Sequence, residues 1–244
     1  MYIDRINHPT PQPAVVVDLD GTLLHAAPAA LGVRGQSGYS YMSGHALITL
    51  RAISAYLPIV IATGRNAQSV QRLVAQTEGV RYGGFVLEHG LIARQQLDAG
   101  REQGTPWQPL ARLLPTWRHL PGYERCLGVI PPLDLINPQI VLQQALAASN
   151  LQGTILVEGP KLFVCPTMPD KLTGLKALNI VPHFALGNAQ NDLTVLSAST
   201  HAVTLSTAEA EVRAVIAARA GYCAPTSAHA ATEDMLRWVL NHLR

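Results

Sequence analysis

The most informative absences in this sequence concern charge and hydrophobic runs. No cluster of lysine or arginine occurs, and the formal net charge is only +2. A sequence-independent nucleic-acid binder carries a basic stripe, so that class is set aside. No apolar stretch approaches the ~18 residues needed to cross a bilayer, and no signal-peptide core is visible, so no membrane partner is expected. The three cysteines, Cys126, Cys165 and Cys223, stand far apart without metal-ligand spacing. That pattern suggests reduced thiols, packed as small hydrophobes in a cytoplasmic protein. Internal repeats and low-complexity tracts are missing too. Only 14% of residues are charged and 48% are apolar. Such a chain can bury a sizeable core, and 244 residues suffice for one large domain or two modest ones.

What is present is an alternation. Ala14 to Val17 is a short β-branched run of the kind buried on both faces of a sheet. A helix capped by Ser43 follows, with Leu47, Leu50, Ile53 and Leu57 near helical spacing. Ile59–Ala62 reads as a strand, Val70, Leu73 and Val74 as a helix face ended by Gly79, and Phe85–Leu87 as a third strand. The rhythm returns after the middle of the chain. Leu172, Leu175 and Leu178 mark a helix, Phe184–Leu186 a strand, Leu193 and Leu196 a helix, and His201–Leu205 a strand. Val212 with Ile216, then Met235 with Val239, mark the last two helices. The expectation is an α/β protein: a Rossmann-like parallel sheet with helices on both faces.

The middle third breaks the rhythm. Residues 94–166 are richer in proline, with one helical pattern over Pro138–Asn150 and a hairpin from Gly153 to Cys165 turning at Gly159-Pro160. This predicts a small α+β cap over 94–166, inserted into a core built from 1–93 and 167–244.

Chemistry concentrates at Asp18-Leu19-Asp20-Gly21-Thr22, directly after the first strand. Ligands of open parallel sheets bind at the carboxyl ends of strands. Two carboxylates one residue apart can share a cation there, and Gly21 lets the chain turn away. The second core strand ends in Thr63-Gly64-Arg65, where a hydroxyl and an amide are suitable donors to phosphoryl oxygens. Lys171 opens a helix after the middle third, and Gly187-Asn188-Ala189-Gln190-Asn191-Asp192 follows a later strand.

These four segments, in this order, resemble the motifs of the haloacid dehalogenase superfamily of phosphatases. The late position of the inserted segment resembles the branch with a C2-type cap, including Cof-like, sucrose-, trehalose- and mannosyl-3-phosphoglycerate phosphatases. Glu88-His89-Gly90 stands where such relatives show Glu-Asn-Gly. The resemblance implies a magnesium-dependent phosphatase of a small phosphorylated metabolite, such as a sugar phosphate. Asp18 would form an aspartyl-phosphate, and Asp20 would protonate the leaving oxygen and then activate water. Thr63, Gly64, Lys171 and Asn191 would hold the phosphoryl oxygens. Magnesium would be held by Asp18, Asp20 and Asn188, with Asp192 nearby. One departure stands out: Asn188 replaces the family's first aspartate, a direct magnesium ligand, and brings no negative charge. A catalytically weak protein that binds a phosphorylated ligand or partner is therefore an alternative, as is a phosphotransferase or mutase on the same fold. Substrate contacts are sought at Arg65, Arg118, His119, Arg125 and Lys161, and in the loop from His25 to Met42 at Arg34, Tyr39 and Tyr41.

Overall fold

The computed structural model describes residues 10–36, 38–97 and 106–244. Residues 1–9, residue 37 of the His25–Met42 loop (the flap) and residues 98–105 of the inserted segment lie outside the described residues. Strand β1 is Gln12–Val17, followed by the hairpin β2 (Leu31–Arg34) and β3 (Tyr39–Met42). Helix α1 (Gly44–Tyr56), β4 (Ile59–Ala62), α2 (Ala67–Val74), β5 (Tyr82–Leu87) and β6 (Ile92–Arg94) come next. The middle third holds α3 (Gln108–Arg112), β7 (Arg118–Leu120), β8 (Leu127–Ile130), α4 (Pro138–Ala148), β9 (Thr154–Glu158) and β10 (Lys161–Cys165). The chain ends with α5 (Lys171–Ala177), β11 (Ile180–Leu186), α6 (Leu193–Ala198), β12 (His201–Leu205), α7 (Ala210–Ala218), β13 (Tyr222–Ala224) and α8 (Ala228–Leu243).

The expected parallel sheet is present, with seven strands in the order β13-β12-β11-β1-β4-β5-β6, all parallel except the edge strand β6. Its central strands are buried along their length because both faces are covered by helices: Val15, Val16, Val17, Ile59, Val60 and Ile61 expose 1% or less. The sheet order matters for function. From β1 the chain continues to β4 on one side, and only later returns to β11 on the other. A crevice opens at such a reversal, beyond the carboxyl end of β1. Val17 is in register with both Ile61 and Leu186, so the residues after these strands emerge side by side.

The inserted segment forms a second, antiparallel sheet in the order β7-β8-β10-β9. Alternation along β10 divides its side chains between two clusters. Leu162 and Val164 pack with Trp107, Leu110, Leu142 and Leu146 beneath α3 and α4. Phe163 and Cys165 pack on the opposite face with Leu120, Tyr123 and Cys126. The periodicity signalled α4 and the β9–β10 hairpin, but not the short β6, β7, β8 and α3, which give too few residues for a period to show. Two further differences are local. The second helix ends at Val74, and Gly79 lies in the turn beyond it with φ of 85°. The His25–Met42 loop contains the β2–β3 hairpin. Among the described residues no helix is long and apolar enough to cross a membrane.

Candidate active site

Four chain segments meet beyond the end of β1. Asp18 and Thr63 directly follow β1 and β4, Asn188 comes two residues after β11, and Lys171 is the first residue of α5. Local structure aims each one. The Asp18 amide donates to the Leu186 carbonyl (3.0 Å), and the Thr63 amide to that of Val86 (2.9 Å), extending the ladders one residue past the strands. Asp170 caps α5, accepting from the Leu172 and Thr173 amides, so Lys171 enters the helix pointing back at β1. Gly90, with φ of 111°, lets the turn after β5 press on the Asp170 carbonyl, where any Cβ would collide.

The centre is a buried ion triad. Lys171 Nζ donates to Asp18 Oδ1 at 2.7 Å and to Asp192 Oδ1 at 2.6 Å, and the lysine side chain is 1% exposed. Asp192 Oδ2 accepts the backbone amides of Asn188 (2.9 Å) and Ala189 (3.1 Å). Two carboxylates thus share one ammonium. Burial pushes the Asp18 carboxyl up to about 7; Lys171 opposes this and the Asp192 charge adds to it. For Lys171, burial disfavours the charge but the two carboxylates overcome it, and its ammonium is held well above the ordinary lysine range.

Asp20 is held differently. Arg65 grips it through a two-pronged contact, Nε to Oδ2 at 2.7 Å and an η nitrogen to Oδ1 at 2.5 Å. Burial alone would raise the Asp20 carboxyl, but the Arg65 hydrogen bonds and charge outweigh it and hold it below the usual carboxylate range. A carboxyl so held is ionised at neutral pH. Arg65 was sought as a substrate contact, and its grip on Asp20 is not legible in the spacing of the two residues.

Magnesium takes hard oxygen ligands, and the oxygens gathered here are of that kind. Asp18 Oδ2 has no hydrogen-bond partner among the described residues, and the Asp20 backbone carbonyl is beside it in the chain. The amide oxygen of Asn188 accepts the Thr22 hydroxyl at 3.0 Å and keeps a second lone pair. Asp192 has both oxygens engaged. Among the described residues no group of three or more His, Cys, Asp or Glu surrounds a common point. The donors suit a hard divalent cation in kind and are one carboxylate short in charge.

Glu88 and His89 extend the site to the cap. Both adopt left-handed backbone, with φ of 49° and 61°. The fully buried Glu88 carboxylate accepts three successive cap amides, those of Glu124 (2.6 Å), Arg125 (2.8 Å) and Cys126 (3.0 Å). The His89 ring lies against Gly64 and edge-on to Phe163, and neither ring nitrogen has a partner among the described residues. Burial, then the charges of Lys171 and Lys161, push its imidazole down to about 3. His89 is therefore neutral in the fold, whereas the unfolded chain takes up a proton near 6.5. Its contribution to stability is complete above that value and is lost as pH falls towards 3, amounting to about 1.4 kcal/mol between pH 7.5 and 5.5. His89→Asn should accordingly shrink the fall in melting temperature over that interval by about 3–5 °C. Equal falls in the two proteins would show that His89 does not titrate in this way.

The other candidates divide. Arg65 and Lys161 line a cavity beside Asp20, together with Tyr39. Arg118 reaches the flap through the Gln36 carbonyl (3.2 Å), and His119 contacts the Leu114 carbonyl (3.1 Å), neither of them in the cavity wall. Arg125 engages Glu88 by its backbone amide. Tyr41 packs on Tyr39, and Arg34 is exposed, with its carbonyl on Arg72. Asn191 lies half-buried in the single turn Gln190–Asp192. Cavity residues without a sequence signal are Gln36, Ser40, Asn66, Ser69 and Tyr123.

No protein-family model and no curated protein matches the chain. Solved structures do match over nearly its whole length. A haloacid dehalogenase-like hydrolase from Bacteroides thetaiotaomicron has a TM-score of 0.70 at 16% identity, covering 96% of this chain and 100% of its own. A sucrose-phosphatase from Synechocystis, solved with sucrose and phosphate, has a TM-score of 0.60 at 17% identity, covering 95% and 98%. A sugar phosphatase of haloacid dehalogenase subclass IIB has a TM-score of 0.58 at 16% identity, covering 94% and 98%. The fold is thus that of the haloacid dehalogenase-like hydrolases.

Proposed function

We propose that this chain is a phosphomonoester hydrolase acting on a small phosphorylated metabolite through an aspartyl-phosphate on Asp18. The observation that carries the reading is the Asp18–Lys171–Asp192 triad at the reversal point of the sheet, with one Asp18 oxygen left free. Structural neighbours that include sugar phosphatases support it.

In this reading the free oxygen of Asp18 attacks phosphorus, and the ester oxygen departs towards Asp20. Lys171 holds Asp18 in place and offers positive charge where the phosphoryl oxygens gather negative charge. Thr63, Gly64 and Asn191 supply further polar contacts to those oxygens. Asp20, protonated from solvent once released from Arg65, gives that proton to the leaving oxygen and then, as carboxylate, takes one from the water that cleaves the acyl phosphate. Asp18, the Asp20 carbonyl and Asn188 would hold a magnesium ion, which would offset the charge shared by carboxylate and phosphoryl group. The cap is docked beside the site through Glu88. The test is phosphate release from an aryl phosphate with added magnesium; absence of any release from the purified protein counts against the reading.

Asn188 favours a second reading, in which the protein binds a phosphorylated ligand and turns it over poorly. Asn188→Asp restores a carboxylate and should lower the magnesium concentration for half-maximal activity by about tenfold or more. A silent wild type beside an active Asn188→Asp would favour the binding protein.

A further inference from the structure

Cys126 and Cys165 lie 39 positions apart in the chain, yet the cap sheet sets them face to face. Val164 stands opposite Leu127 in the antiparallel pairing of β10 with β8. The same register carried one residue further puts Cys165 opposite Cys126. Directly opposed residues of such a pair have Cα atoms about 4.5 or 5.5 Å apart. Both separations fall within the roughly 4.4–6.8 Å that a disulfide spans. The two side chains leave the same face of the sheet, in the cluster with Leu120, Tyr123 and Phe163. Their sulfurs are 3.2 Å apart. Both are free thiols here, and the third cysteine, Cys223, is exposed.

The pair is sealed into the seam between cap and core. Cys126 exposes 1% and Cys165 0%. Leu91, from the core side, packs against their cluster, and Glu88 accepts the Cys126 amide at 3.0 Å. Other contacts hold the same seam. The side-chain amides of Gln36 and Asn66 donate to the Pro121 carbonyl, at 2.7 and 2.9 Å, and the Tyr123 hydroxyl donates to the Gly64 carbonyl at 3.3 Å. In this closed arrangement the Cys126 thiol is pushed up, first by its contact with Cys165, then by burial, with the Glu88 charge adding. The thiolate is the reactive form, so the closed molecule protects the pair.

We propose that Cys126 and Cys165 are a modification site, an oxidisable dithiol that closes to a disulfide when the cap lifts from the core and a peroxide is present. Lifting the cap wets both sulfurs and takes away the burial and the Glu88 charge. One thiolate attacks a peroxide oxygen, the O–O bond breaks, and a sulfenic acid forms as hydroxide departs. The second thiolate attacks that sulfur, the S–S bond forms, and hydroxide leaves again. In total two thiols give up two electrons and two protons, and one hydrogen peroxide becomes two waters. No group of the Asp18 site takes part, so the inference stands whatever reaction that site performs.

The test treats the folded protein with hydrogen peroxide, in a Cys223→Ser background that keeps the exposed thiol out of the count, and follows it by peptide mapping and thermal melting. A peptide pair joined through Cys126 and Cys165 should appear, and dithiothreitol should release it. The bond closes a long loop of the denatured chain, so the oxidised protein should melt about 5–10 °C above the reduced one. Glu88→Gln weakens the seam and should form the link about tenfold faster. Thiols that stay reduced, or that over-oxidise without a link, overturn the site. A linked protein that melts no higher than the reduced one overturns the fit of the bond to the sheet. Equal rates in Glu88→Gln and its parent overturn the dependence on cap lifting. Should Glu88→Gln not fold, the peptide map of the Cys223→Ser protein still decides the site.

Discussion

Asp18→Asn should lower phosphate release by about 10⁴-fold or more while leaving the protein folded. The scale follows from the proposed mechanism, in which Asp18 forms the covalent bond and does not merely orient a group that does. The substitution is nearly isosteric. The asparagine oxygen still accepts from Lys171, so the packing around the triad is kept, but the amide cannot attack phosphorus. The excess negative charge of the triad disappears with it. Burial, with the Asp192 charge adding to it and Lys171 opposing, leaves Asp18 with a carboxyl raised to about 7. Above that pH the wild type carries a buried charge that the variant lacks, so the variant's melting temperature should equal or exceed the wild type's. Phosphate release together with thermal melting at pH 8 checks both halves. Activity within tenfold of wild type would remove Asp18 from the nucleophile's role, and a collapse in melting temperature would mean that the carboxylate is structural.

Lys171→Met should act on stability and activity together. The ammonium bonds to both Asp18 and Asp192 in a place almost closed to water. Removing it leaves two buried carboxylates without a counter-charge, at a cost of about 3–5 kcal/mol. For a chain of this size that corresponds to a fall of about 10 °C in melting temperature. The response to acid identifies the cause. Without the lysine, the folded-state pKa of Asp18 rises further above the unfolded value near 3.8. The folded form then binds protons that the unfolded form does not, so stability increases as pH falls from 7 towards 4. The variant should therefore recover part of its deficit on acidification, whereas a simple packing defect would not. In the proposed mechanism phosphate release should fall by at least about 10³-fold, because the cation assigned to the phosphoryl oxygens is lost.

Glu88→Gln addresses the cap. Three cap amides converge on one carboxylate, each a hydrogen bond to a charged acceptor. An amide side chain keeps one oxygen and turns a donor towards the remaining amides, so about 2–3 kcal/mol of cap docking should be lost. Faster proteolysis near the cap junctions, measured against wild type, checks this; unchanged proteolysis would mean that the hydrophobic contacts around Phe163 hold the cap unaided.

Much of this was legible in the residues alone. The β-branched runs at Val15–Val17 and Ile59–Ile61 signal strands buried on both faces, and helical spacing between strands requires a parallel sheet. Once the sheet is parallel, residues immediately after its strands share one end, so Asp18, Thr63 and the Asn188 segment could be grouped from sequence. Lys171 could be placed with them only through the resemblance, since a lysine at a helix start is otherwise an ordinary surface residue. The short cap elements left no periodic trace. Side-chain pairing between distant segments was invisible for a different reason: Arg65 on Asp20, Glu88 on Glu124–Cys126, and Gln36 with Asn66 on Pro121 depend on rotamers and domain placement. Local pattern fixes which end of the sheet carries the chemistry, because strand direction and burial are local properties. The charge each carboxylate bears, and the size and sign of the space beside it, arise only when 244 residues fold into contact, because desolvation and Coulomb energy depend on distances through space.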